Sequence, residues 1–181
     1  MTGGVRTEWL WHNKRRTALG AAVLFMLCAL CGIFFLQNRA VLTAAAEPTP
    51  EERAMELELI GMINKIRVEN HLLPLTETPQ LAQVARAKSE QMRIDDSFSH
   101  YNPTFGDPFE MLELFGISFA AAGENLAHAH YSAAQTLADW VNSPGHRNNI
   151  LNPVFENIGV GLASDRHGGW LWTALFVQNE R

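Results

Sequence analysis

"NIGVGLASDRHGGWLWTALFVQ", residues 157–178, is the stretch whose reading decides the fold. Ile158, Val160 and Leu162 alternate with Gly159, Gly161 and Ala163, and Trp170, Trp172, Ala174 and Phe176 alternate with Leu171, Thr173, Leu175 and Val177. Period-two runs of this kind read as strands, and the Ser164–Gly169 segment between them reads as a hairpin. Both runs are apolar on both sides. A solvated sheet face would carry polar residues, so this pair predicts a sheet covered on both faces.

Working back toward the N-terminus, the cover is helical. Thr49-Pro50-Glu51-Glu52 is a capping box with proline at the first helical position, and Met55, Leu59, Met62, Ile63 and Ile66 follow at helical spacing. A helix over 50–70 follows. Thr78-Pro79 opens a second helix, with Leu81, Val84, Ala85, Lys88 and Met92 along one side. The lysine in that stripe is expected to lay its stem on apolar surface and keep its ammonium in water. Asp107-Pro108-Phe109-Glu110 opens a short helix that stops at Gly116, and Ser132 opens another through Leu137, Trp140 and Val141. Trp140, Trp170 and Trp172 are expected in the core, His71 and His167 in surface loops. Helices followed by a buried sheet predict an α+β fold with helical layers on both sides of the strands.

The N-terminal part differs in kind. Residues 17–36, TALGAAVLFMLCALCGIFFL, hold no charge, and twenty helical residues span about 30 Å, the hydrocarbon thickness of a bilayer. Arg6, Lys14, Arg15 and Arg16 precede the run, which places residues 1–16 in the cytoplasm and the rest of the chain outside. The run is longer than the apolar core of about 7–15 residues in a cleaved signal peptide, so a single-pass signal-anchor is expected. Ala44-Ala45-Ala46 would still serve as a cleavage site, and cutting near Ala46 would give a secreted domain. Residues 37–50, ending in AVLTAAAEPTP, form a short linker to a domain at 51–181. Both cysteines, Cys28 and Cys31, fall inside the apolar run. The exported domain therefore has neither a disulfide framework nor a thiol nucleophile. From residue 47 onward 18 acidic side chains face 9 basic ones, a net charge of −9. That excludes nucleic acid as a partner and leaves divalent cations acceptable.

The chemistry-bearing residues are scattered. "WVNSPGHRNNIL", residues 140–151, ends one helix and begins another, with Ser143 as N-cap and Pro144 first in the helix. His146 then lies in a first turn, where the helix dipole favours the neutral imidazole that metal binding or base catalysis requires. Arg147 is expected to pin the helix start through a nearby carboxylate or carbonyl. Glu124, in Gly123-Glu124-Asn125, heads a strand-like apolar run, and a carboxylate there must be paired or hydrogen-bonded. His100 follows the second helix. Spacings of 24 and 22 residues do not by themselves link His100, Glu124 and His146. No two-histidine helix motif, nucleophile elbow or phosphate loop is present.

A resemblance links them. "NKIRVENHLLPL" (64–75), "FSHYNPTFGDPFEMLELFGISFAAAGENLA" (98–127), "WVNSPGHRNNILNPVFENIGVG" (140–161) and "WLWTALF" (170–176) resemble the CAP superfamily, in its bacterial, cysteine-free branch of SCP-like domains. The resemblance implies a three-layer α-β-α sandwich with a small central antiparallel sheet and an open cleft. It implies that His100, Glu124 and His146 meet in that cleft, with Asn125, Ser143, Arg147 and Asn149 in support. Ser143 stands where many relatives carry a second glutamate, and Ala174 where the final strand often has glutamine. His128 and His130 are this chain's own. On an extended 124–130 they would share a side with Glu124 and extend the ligand set, whereas the expected reading is an exposed loop before Ser132.

The function expected is a membrane-tethered or secreted extracellular binding module. Its cleft would present two imidazoles and a carboxylate to a divalent metal, zinc first, or to a polar group of a cell-wall, lipid or protein ligand. Two alternatives stand beside it. One is a metal-dependent hydrolase of peptide or peptidoglycan with Glu124 as its catalytic residue. The other is a purely structural polar network, with partners bound through a surface loop such as 101–120.

Overall fold

The computed structural model describes residues 47–129, 132–166 and 168–180. The predicted membrane span at 17–36 and its flanks lie outside the described residues. Among the described residues no helix is long and apolar enough to cross a membrane.

The chain order is α1 (Pro50–Glu69), β1 (Thr76–Glu77), α2 (Pro79–Asp95), α3 (Pro108–Leu114), β2 (Ala121–Ala129), α4 (Ala133–Asn142), α5 (Pro144–Ile150), β3 (Asn157–Ser164) and β4 (Trp170–Gln178). The predicted starts hold. Thr49 and Asp107 make reciprocal capping boxes, and the Thr78 and Ser132 side chains accept backbone N–H bonds in the first turns of α2 and α4. Gly116, after α3, has φ +72°, a left-handed stop that favours glycine.

The strands run in the order β1-β3-β4-β2. β3 and β4 are antiparallel, as are β4 and β2, but β1 pairs with β3 in parallel, so the sheet is mixed. The expectation of a wholly antiparallel sheet missed β1. Two residues lying between Pro74 and Pro79 are too few to show alternation.

Both sheet faces are covered. Ile158, Val160, Leu162, Trp172, Ala174 and Phe176 pack with Leu59 and Ile63 of α1 and with Leu137 and Trp140 of α4. On the other face Leu175 and Val177 pack with Leu81, Val84 and Ala85 of α2 and Met111 and Leu112 of α3. The glycines of β3 explain how closely α2 lies on that face: a Cβ on Gly161 would come 2.1 Å from the Arg86 backbone nitrogen. Only glycine admits this approach.

Two buried ionic groups lock the layers. Glu56 of α1 is fully buried and takes Arg86 of α2 in a bidentate pair at 2.7 and 2.7 Å. Arg53 adds a 3.1 Å bond to Glu56 and a bidentate pair to Glu77 of β1. At the far end of α1, Arg67 is 1% exposed and donates to the carbonyls of Leu73, Ile150, Asn152 and Phe155.

Candidate functional site

The site forms around β2, the outer strand of the sheet on the side away from β1. Successive residues of a strand face opposite layers. Leu126 packs with Met92 of α2 and Leu171, and Glu124 two residues earlier faces that same side. Asn125 faces α5, donating to the His146 carbonyl at 3.1 Å. The outer edge of β2 is covered by side chains rather than by another strand. Asn149 donates to the Glu124 carbonyl at 3.1 Å and to Asn125 Oδ1 at 2.8 Å, and the Trp140 indole donates to the Leu126 carbonyl at 3.0 Å. These bonds fix α4 and α5 against the strand and satisfy carbonyls that an exposed edge would leave open.

Across this edge two of the three predicted residues, His100 and Glu124, meet directly. His100 Nδ1 lies 2.7 Å from Glu124 Oε1, with the imidazole 58% exposed and the carboxylate 2% exposed. A carboxylate acceptor requires a proton on Nδ1, so the neutral form of this imidazole turns its lone pair outward at Nε2. Glu124 Oε2 is buried and has no hydrogen-bond partner among the described residues. His146, half-buried beside the Trp140 ring at 6.2 Å, makes no direct bond to either, yet lies close enough for the charge of His100 to act on it. Its pKa is lowered, by burial first and by His100 second. Burial and the charge of His100 thus favour the neutral form foreseen at this position.

The supporting residues divide. Arg147 Nε donates to the Val141 carbonyl at 2.6 Å, tying α5 to the end of α4. Ser143 stands at the α4–α5 corner as the residue before Pro144, and its side chain makes no capping bond to α5. His128 is not in a loop: β2 continues through Ala129, and His128 Nε2 lies 2.7 Å from Asp165 Oδ2 of the β3–β4 turn, with the Phe98 ring 5.7 Å away. Asp165 in turn accepts the Gly169 N–H at 2.6 Å. This pair borders a separate hollow of about 120 Å3 with Met92, Arg93 and Arg166. His130 and His167 lie outside the described residues.

Lys88 is the residue the sequence reading placed wrongly. It is 1% exposed, and its ammonium donates to the His100 carbonyl at 2.7 Å instead of reaching water. Burial lowers its pKa, and Glu124 partly offsets that. The signal was available: its position in the α2 stripe, between Ala85 and Met92, is a core position.

Among the described residues no three His, Cys, Asp or Glu side chains converge as a ready ligand set. The Glu124 oxygen that faces His100 orients this imidazole, as a carboxylate beside a metal-bound histidine commonly does. Imidazole nitrogens are donors that zinc accepts, and two of them fall short of a closed four-ligand structural site.

The model of the cysteine-rich secretory protein family, CAP, matches residues 60–179. The uncharacterized protein YkwD of Bacillus subtilis (strain 168) is 41% identical over 124 residues, covering 68% of this chain and 47% of that protein. The uncharacterized membrane protein YlbC of the same organism is 34% identical over 107 residues, 59% of this chain and 31% of its own length. This chain thus spans less than half of either relative. Among solved structures, an extracellular protein containing an SCP domain from Bacillus anthracis str. Ames superposes with a TM-score of 0.66 at 32% identity, covering 74% of this chain and 45% of that one.

Proposed function

The chain belongs to the cysteine-rich secretory protein family, CAP, and from that membership we propose that it is an extracellular binding module held at the membrane by residues 17–36. The extracellular assignment is supported by the B. anthracis neighbour, described as an extracellular protein, and the tether by YlbC, described as a membrane protein. Under this reading the His100 and His146 imidazoles receive a divalent cation, Glu124 orients the His100 ring, and the ion presents its open positions to a polar group of a wall or lipid ligand. The observation that carries it is the exposed His100 imidazole, held through Nδ1 by the buried Glu124 carboxylate at 2.7 Å. Imidazole donors suit zinc, whereas calcium and magnesium require an oxygen cage that these residues do not form.

The test uses the full chain in mild detergent, titrated with zinc while its thermal unfolding is followed. At a zinc concentration of about 100 times Kd, stabilisation of about 2.7 kcal/mol is expected for the wild type, and none for His100→Ala or His146→Ala. Equal zinc response in wild type and both variants would remove the cation site. The hydrolase reading has one observation in its favour, the orientation of the His100 imidazole by Glu124. Release of peptides or muropeptides by the wild type, abolished in Glu124→Gln, would replace binding with catalysis.

A further inference from the structure

Lys88 is a lysine where packing asks for an apolar residue. Its neighbours in the buried stripe of α2 are Leu81, Val84, Ala85 and Met92. A charged ammonium enclosed by hydrocarbon is strongly disfavoured unless an anion and hydrogen-bond acceptors attend it. Lys88 has an acceptor, the His100 carbonyl at 2.7 Å, and the anion whose charge acts on it is Glu124. The ammonium has three N–H donors, and the His100 bond uses one of them. Glu124 is its counterpart: buried, with one oxygen on His100 Nδ1 and the other unmatched. Two buried groups of opposite charge, each with spare hydrogen-bonding capacity, thus hold the same residue from two sides. Lys88 grips His100 by its backbone, and Glu124 grips it by its ring.

We infer that Lys88 is the positioning residue of the His100–Glu124 pair: its ammonium anchors the backbone at His100 and thereby holds the ring against the Glu124 carboxylate. The imidazole is then presented with Nδ1 turned inward and Nε2 outward. The inference rests on the reading of this pair as a binding site, but its test needs no ligand.

The experiment is 15N NMR of the full chain, labelled at histidine, in detergent and free of metal. Nitrogen shifts report which ring nitrogen carries the proton. The wild type is expected to show His100 protonated on Nδ1. In Lys88→Met this form is lost and His100 reverts to the Nε2–H form that free histidine prefers. His128, fixed through Nε2 by Asp165, is the internal control and stays unchanged. Lys88→Gln keeps a donor for the His100 carbonyl without the charge, and it carries the test if Lys88→Met does not fold. Where Lys88→Met folds, loss of the Nδ1–H form in it alone assigns the effect to the carbonyl bond, and loss in both variants assigns it to the ammonium as a whole; either outcome supports the inference. A folded Lys88→Met in which His100 keeps the Nδ1–H form while global stability falls would reduce Lys88 to a structural residue and overturn it, and where Lys88→Met does not fold, a folded Lys88→Gln that keeps this form would do the same. Failure of zinc binding in the wild type would remove the proposed function and leave this result standing.

Discussion

Replacing Arg67 with methionine should unfasten α5 from the rest of the domain. The guanidinium is 1% exposed, and its four described partners are all backbone carbonyls, at 2.9 Å (Leu73), 2.8 Å (Ile150), 2.9 Å (Asn152) and 3.3 Å (Phe155). Methionine fills most of the stem volume and donates nothing. Water can replace the donor at Leu73 and Asn152, which are partly open, but not readily at the buried Ile150 and Phe155 carbonyls. Leaving each of these two unsatisfied costs about 1–3 kcal/mol. Against this stands the relief of no longer burying a charge, whose penalty is visible as a lowered Arg67 pKa caused by burial. A net loss of about 3 kcal/mol is expected, a large share of a typical total of about 5–15 kcal/mol. Arg67→Lys should lose about 2 kcal/mol, because a compact ammonium cannot span carbonyls arranged for a planar fork. Urea unfolding followed by tryptophan fluorescence should show the midpoint falling by roughly 1.5 M for Arg67→Met, at a slope of about 2 kcal/mol/M. A loss under about 0.5 kcal/mol would mean that the four carbonyls are solvated and that the guanidinium does not hold the loops together.

Three further outcomes follow from the geometry. Gly161→Ala should cost about 3 kcal/mol or more, since its Cβ would meet the α2 backbone at 2.1 Å, whereas Gly61→Ala, with nothing within 4 Å, should stabilise α1 by about 0.5–1 kcal/mol; thermal melts of the pair check both. Glu56→Gln should cost about 3 kcal/mol in urea unfolding, because it leaves Arg86, and in part Arg53, without the buried counter-charge. For His146 the folded pKa lies below the ordinary value of 6.5, so below that value the unfolded chain binds the proton more readily than the folded one. Its contribution to stability is therefore complete above the ordinary value and is lost as pH falls through the folded value. His146→Gln should flatten the difference in urea midpoint between about pH 7.5 and about pH 5, and an unchanged difference would remove burial as the cause.

The fold was largely legible because its signals are local. The capping boxes at Thr49 and Asp107, the left-handed stop at Gly116 and the two-sided apolar alternation of β3 and β4 each act within a few residues of the atoms they organise. β1 was not legible, since a two-residue strand exists only through its pairing with Asn157 and Ile158, about eighty positions away along the chain. The same difference in range explains the site. His146 could be read as favouring its neutral form from its place in a first turn, but burial and the charge of His100, 46 residues away in sequence, leave no local mark. The His128–Asp165 bond, 37 residues apart in sequence, carries no local mark.

What the sequence could not supply is the reason that residues from opposite layers meet at all. A central strand would separate them, because helices on its two faces are kept apart by the sheet. β2 is an outer strand, so its free edge is the one place where α2, with His100 after its end, and α5, with His146, approach the same backbone. The side chains that seal this edge, Trp140 and Asn149, also set how closely α5 approaches. Sealing the edge and assembling the site are thus one structural act. Weakening the Asn149 bonds to β2 should displace His146 relative to His100 before it unfolds the sheet, because Asn149 takes no part in the packing of the β3–β4 core.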